Sequence, residues 1–221
     1  MTRPAVPDAA VPLLAVAALM LLAWDLGAAD VAVMQAIGTP SGFPLRDAFV
    51  PSVLLHGGGR WLSGLWMTGW VLWAVLGSSG PPRRRRRRAL GVAIAALVLV
   101  PAMKQLSATS CPWEWTAFGG GAQWVSHWRL GVGDGGSGHC FPSGHAAAAF
   151  AFLPGYFMLR GDHPRAARVW LQSCLLLGVA FGAAQVVRGA HPPSHIAWTA
   201  WLCAAISLAG DRRSRRPWRS R

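Results

Sequence analysis

Charge is scarce in this chain. Only 13% of its 221 residues are Asp, Glu, Lys or Arg, and the acids number 8 against 21 basic residues. The net charge of +13 would suit a nucleic-acid partner, but such a protein spreads its basic residues over a soluble domain. Here they punctuate long apolar runs, which excludes that class, and no nucleic acid is expected. No His-Glu-x-x-His pattern or comparable ligand set occurs, so a zinc hydrolase or metal carrier assembled from His56, His127, His139, His145, His191 and His195 has no sequence support. No metal or other cofactor is therefore expected. A small-residue cleavage site is also missing after the first apolar run, which is read as a retained span and not as a removable leader.

What the chain has in abundance is apolar sequence: 53% hydrophobic residues, with 13 Trp among them. Searching for stretches near the ~17–25 residues that cross a bilayer gives about six, at 9–28, 61–76, 89–106, 146–159, 169–187 and 196–209. The fold class expected is all-α, a polytopic membrane bundle forming one domain over 1–221, with a basic tail at 210–221. Cytoplasmic loops collect Lys and Arg near span ends. With both termini cytoplasmic, every basic residue except Arg46, Arg60, Lys104, Arg129 and Arg188 falls on the cytoplasmic side. The block Arg83 to Arg88 is read as a charge anchor between two spans rather than a lipid or nucleic-acid patch. Trp24, Trp61, Trp66, Trp70, Trp73, Trp198 and Trp201 are read as interfacial or packing residues.

The opposite side has two long connections, 30–60 and 107–142, and long loops in compact domains usually serve function. The first contains a stretch, 45–50, expected as a short interfacial helix. The second is Gly-rich and shows neither repeat nor strand alternation. Two polar segments lie on this face: Cys140-Phe141-Pro142-Ser143-Gly144-His145, and Arg188-Gly189-Ala190-His191-Pro192-Pro193-Ser194-His195. Ser143, Gly144 and His145 should open a helix, where unpaired N–H groups and the helix dipole favour an anion such as phosphate. Gly144 lets the backbone approach closely, and imidazole holds a transferable proton near neutral pH. Lys104, near the outer end of its span, is costly to bury without a purpose. Its structural alternative is snorkelling to the interface.

From about residue 99 to 208 the chain resembles the type 2 phosphatidic acid phosphatase superfamily, membrane-bound branch. Its second motif, Pro-Ser-Gly-His, is intact as Pro142-Ser143-Gly144-His145. Its first, Lys, six residues, Arg-Pro, is met by Lys104 and then Cys111-Pro112, with Cys in place of Arg. Its third, Ser-Arg, five residues, His, three residues, Asp, is met at His191, but Ala184 and Gln185 stand in the Ser-Arg places and His195 in the Asp place. Arg188, one turn before His191, can supply the guanidinium from a shifted position. A second register would make His195 the nucleophile, with Thr199 at the Asp place; the Gly-x-His-x-Pro-Ser pattern favours His191.

The resemblance implies metal-independent phosphoryl transfer. His191 attacks phosphorus to form a phosphohistidine, and His145 protonates the leaving group. Lys104, Arg188, Ser143 and Gly144 bind the phosphate, with His195, Asp47 or Glu114 orienting His191. A lipid phosphate or diphosphate is the implied substrate, at the periplasmic or outer face of a cytoplasmic membrane. Phosphatidate, phosphatidylglycerophosphate, undecaprenyl diphosphate and lipid A phosphates are candidates. Lipid phosphotransfer and non-catalytic lipid-phosphate binding are the alternatives. Cys174 and Cys203 lie in apolar spans and read as packing residues. Cys111 and Cys140 flank the Gly-rich loop on the exterior side, where an oxidising compartment permits a disulfide, the alternative being two free thiols.

Overall fold

A computed structural model describes residues 10–215; Arg3 and the end of the basic tail lie outside them. Among the described residues there is no strand. The helices are α1 (Ala10–Leu26), α2 (Ala29–Ile37), a π-helical segment (Phe49–Gly57) running directly into α3 (Gly58–Leu76), α4 (Arg83–Leu106), α5 (Gly144–Phe150), α6 (Pro154–Leu159), α7 (Pro164–Val187) and α8 (Pro193–Arg215). By length and apolar composition α4 and α7 can each cross a membrane, and α1 with α2, bent by 66°, makes a third candidate. The stretch expected at 146–159 is instead broken. Pro154 has no N–H and crowds the carbonyl one turn earlier, and residues 151–153 form a turn. Trp170 Nε1 donates at 2.8 Å to the Phe152 carbonyl, which also accepts from Gly155 N at 3.0 Å.

Short α5 sits at the centre, packed on α3, α4, α7 and α8. Its run of alanines allows that closeness: Ala146, Ala147, Ala149 and Phe150 are all buried. Gly178 on α7 leaves room for the Phe150 ring, where a Cβ would collide. Around them Trp70, Ala93, Val100, Phe152, Met158, Cys174 and Cys203 form the main core. The two buried cysteines, Cys174 and Cys203, are free thiols within that packing. The 45–50 stretch is a turn followed by the π-helical segment, so helix begins at Phe49, four residues later than expected.

The starts of α3, α5 and α8 gather at the end where α4 and α7 finish, and α6 continues from α5 to the opposite, arginine-bearing end, where the Met158 carbonyl accepts from Arg85. There the arginine block proves more than an anchor. Arg86 is buried; it donates to the Ser79 carbonyl at 2.8 Å and to that of Gly77, and lies over the Trp73 ring. It thereby satisfies carbonyls left unpaired past the end of α3. Arg85 pairs with Asp162, and Arg160 with Asp211 at 2.9 Å.

Candidate active site

The end of the bundle opposite the arginine block gathers Lys104 from the last turn of α4, His145 from the first turn of α5, Arg188 and His191 from the α7–α8 connection, and His195 from α8. Loop 107–142 covers them. Backbone bonds such as His139 N to the Ser107 carbonyl (2.7 Å) and Cys140 N to the Thr109 carbonyl (2.9 Å) fasten it, and two acids add side-chain bonds. Asp134 accepts from Ser110 N (2.5 Å), Ser110 Oγ (2.7 Å) and Gly136 N (3.0 Å). Glu114 accepts from Cys111 N (3.2 Å) and Ser137 N (3.3 Å). Cys111 and Cys140 are joined by a disulfide across a separation of 29 residues.

His191 is buried. Its Nδ1 lies 3.5 Å from Cys140 Sγ. A disulfide sulfur carries no hydrogen and accepts only weakly, so this contact places the imidazole proton on Nδ1 and leaves the Nε2 lone pair available. Burial above all, then the electrostatic effects of Lys104 and His145, lowers the His191 pKa well below 6.5, against a raising contribution from the Cys140 backbone. The ring is therefore neutral at neutral pH. No carboxylate bonds to it: Glu114 is spent on the loop, and Asp47 is exposed and acts on the charge of Arg188.

His195 does not orient His191. Its Nδ1 is 3.2 Å from the Cys140 carbonyl, which captures it, and the two rings stand 5.8 Å apart between centroids. His195 is 2% exposed and packs edge-on against His127 and Phe141, each at 5.1 Å. Thr199, the partner required by the second register, donates to the His195 carbonyl at 2.7 Å and not to its ring.

Ser143 departs from its expected role. Its N–H donates to Thr199 Oγ1 at 2.9 Å and its Oγ caps α5 by accepting from Ala146 N at 3.5 Å. The N–H is thereby spent on Thr199, whereas the hydroxyl, which only accepts here, keeps its O–H to donate. Gly144 keeps its place: a Cβ there would meet nothing within 4 Å, so the residue faces open space. His145 Nε2 is buried without a hydrogen-bond partner. Arg188 is steered by Nε to the Arg46 carbonyl (2.8 Å) and by Nη1 to Gln185 Oε1 (3.5 Å). None of the three ion pairs among the described residues involves Lys104.

Two residues essential to this geometry were invisible as such in the sequence. Asp30 accepts from Ser194 N (3.0 Å) and Ser194 Oγ and from Trp24 Nε1 (2.8 Å), which fixes the start of α8 just after His191. Asp25 accepts from Trp128 Nε1 and Trp198 Nε1, both at 2.8 Å, and lies 3.4 Å from His127 Nε2. The available signal was their placement: acids within or just after the first apolar run are expensive there. The only group among the described residues with metal-ligand spacing is Cys111, Cys140 and His191, and two of its three ligand atoms are the disulfide sulfurs, which have no thiolate to offer.

Buried imidazoles are thus grouped with lysine and arginine where the apolar helices end. The PAP2 superfamily model matches residues 86–214, more than half of the chain, and the protein belongs to that superfamily. Its members are generally phosphatases, and at that level the protein is a phosphoric-ester hydrolase. No curated protein and no solved structure matches the chain.

Proposed function

We propose that the protein is a membrane phosphatase that hydrolyses a lipid phosphate or diphosphate through a phosphohistidine on His191. The observation that supports it most is His145 Nε2, a buried polar atom with no protein partner, within the same electrostatic neighbourhood as Lys104 and His191. A buried polar atom left unpaired costs about 1–3 kcal/mol, and a bound phosphate ester supplies its partner. The reaction then balances. The Nε2 lone pair of His191 forms the N–P bond as the bond from phosphorus to the lipid oxygen breaks, and His145 gives that oxygen its proton. Water next attacks phosphorus, loses its proton to His145 and releases phosphate from His191. Lys104 and Arg188 stabilise the charge on the non-bridging oxygens.

The lipid assignment rests on placement: a headgroup bound at helix ends leaves its chain in the apolar layer. Six spans with both termini cytoplasmic, and the site on the outer face of a cytoplasmic membrane, agree with the heavy basic end and the sparse one. The detergent-purified protein should release inorganic phosphate from at least one of phosphatidate, phosphatidylglycerophosphate, undecaprenyl diphosphate or a lipid A phosphate, with chelator present. Transfer of phosphate to a second lipid would point to a phosphotransferase. Binding of these lipids with neither release nor transfer would establish a non-catalytic binder.

A further inference from the structure

We propose that His56 is a third imidazole of the site, donating Nε2–H to a non-bridging phosphate oxygen where the family motif has its arginine. This rests on the phosphatase reading above. The Arg of the third motif is replaced here by Gln185, a neutral side chain that is 2% exposed. Gln185 is not idle. Its Oε1 accepts from Arg188 Nη1 at 3.5 Å, which turns its amide NH₂ toward His56, where Nε2 lies 3.2 Å from Nδ1. With Nδ1 accepting, the proton of neutral His56 sits on Nε2. That atom has no hydrogen-bond partner among the described residues. The His56 ring also stacks on His145, with centroids 3.8 Å apart and planes 16° from parallel. The donor therefore stands beside the group that protonates the leaving oxygen.

The fold explains how a residue from outside the matched range 86–214 reaches this position. The π-helical segment that carries His56 packs on α7, and Gly59, one turn later, lies against Phe181, where a Cβ would stand 2.9 Å from the ring. Only glycine allows so close an approach, and it lays His56 across the end of α7 beside Gln185. Arg188 and Arg60 are near enough to act on it electrostatically. The His56 imidazole and Arg188, both bonded to Gln185, thus flank the side chain that stands in the motif arginine's place.

The test compares His56→Phe, which keeps a stacked ring and loses the N–H, with His56→Gln, which keeps an N–H and loses the ring. Each is read by kcat/KM on the best lipid phosphate and by calorimetric titration with inorganic phosphate, after thermal unfolding confirms a wild-type fold. His56→Phe should lose roughly 100-fold in kcat/KM, the scale for one transition-state donor, and bind phosphate roughly 10-fold or more weakly, as loss of a hydrogen bond to a charged group implies. His56→Gln should recover part of both. Wild-type kcat/KM and phosphate affinity in His56→Phe would overturn the proposal and leave His56 as a stacking partner only. If the wild-type protein hydrolyses no ester, the phosphatase reading fails separately, and the phosphate titration still decides whether His56 is a phosphate ligand.

Discussion

The two ends of the bundle are both basic, yet they treat their cations in opposite ways. At the arginine-rich end Arg86 is paired with backbone carbonyls, Arg85 with Asp162 and Arg160 with Asp211. At the other end Lys104 has no carboxylate, Arg188 is steered only by a carbonyl and an amide, and His145 keeps a buried nitrogen unpaired. Charge count alone would point to the wrong end. Pairing separates them in kind and not in completeness: Arg86, Arg85 and Arg160 each reach a protein acceptor, although Arg86 Nε is itself buried without a partner, whereas none of the ion pairs among the described residues includes Lys104 or Arg188.

That contrast can be broken most severely at His191. His191→Ala should lower kcat roughly 10⁴-fold or more while the protein still folds, as for other nucleophiles acting within a catalytic unit. His145→Ala should lose about 10²–10⁴-fold, most for esters with poor leaving groups, the span expected of a general acid. Steady-state phosphate release on a lipid and on a good leaving-group ester checks both. Next come Lys104→Ala and Arg188→Ala, each expected to cost roughly 100-fold in kcat/KM. An unchanged Arg188→Ala enzyme would remove Arg188 from phosphate binding.

The disulfide bears on the same contrast, because it belongs to the site end and touches His191. Closing a loop of this length is worth about 3–4 kcal/mol on chain-entropy grounds, and Cys140 Sγ is also the neighbour of His191 Nδ1. Reduction, or Cys111→Ser, should depress activity before it melts the helices, and Cys174→Ser should not. Finding both cysteines fully alkylated in native membranes by mass spectrometry would contradict the link.

The smallest effects should come from the arginine end. Arg86→Ala leaves the Gly77 carbonyl without its arginine donor and the Ser79 carbonyl with Trp73 Nε1 alone, at about 1–3 kcal/mol of stability, with kcat/KM unchanged. Arg85→Ala, at a partly exposed pair, should cost under about 1 kcal/mol. Thermal unfolding and kinetics on the same samples separate the two quantities.

Much of the fold could be read from the sequence because apolar runs and charge punctuation are local signals. The break at Pro154 and the π-helical segment could not, since each is set against a neighbour distant in sequence: Trp170, bonded to the Phe152 carbonyl, for the first, α7 for the second. At the site, Pro142-Ser143-Gly144-His145 announced its own position but misassigned Ser143, whose N–H meets Thr199, 56 residues away. His195 filled the Asp place in the register, and the Cys140 carbonyl took its Nδ1. His56 stood out only as one of several histidines, because its importance lies in contacts with Gln185 and His145 that no spacing encodes.

The most direct test of the central claim is to quench the enzyme rapidly during turnover of a ³²P-labelled lipid phosphate and to map the label. An acid-labile, alkali-stable phosphohistidine is expected on the peptide containing His191, present in His195→Ala and absent in His191→Ala. A label that survives in His191→Ala and disappears in His195→Ala would contradict it and make His195 the nucleophile.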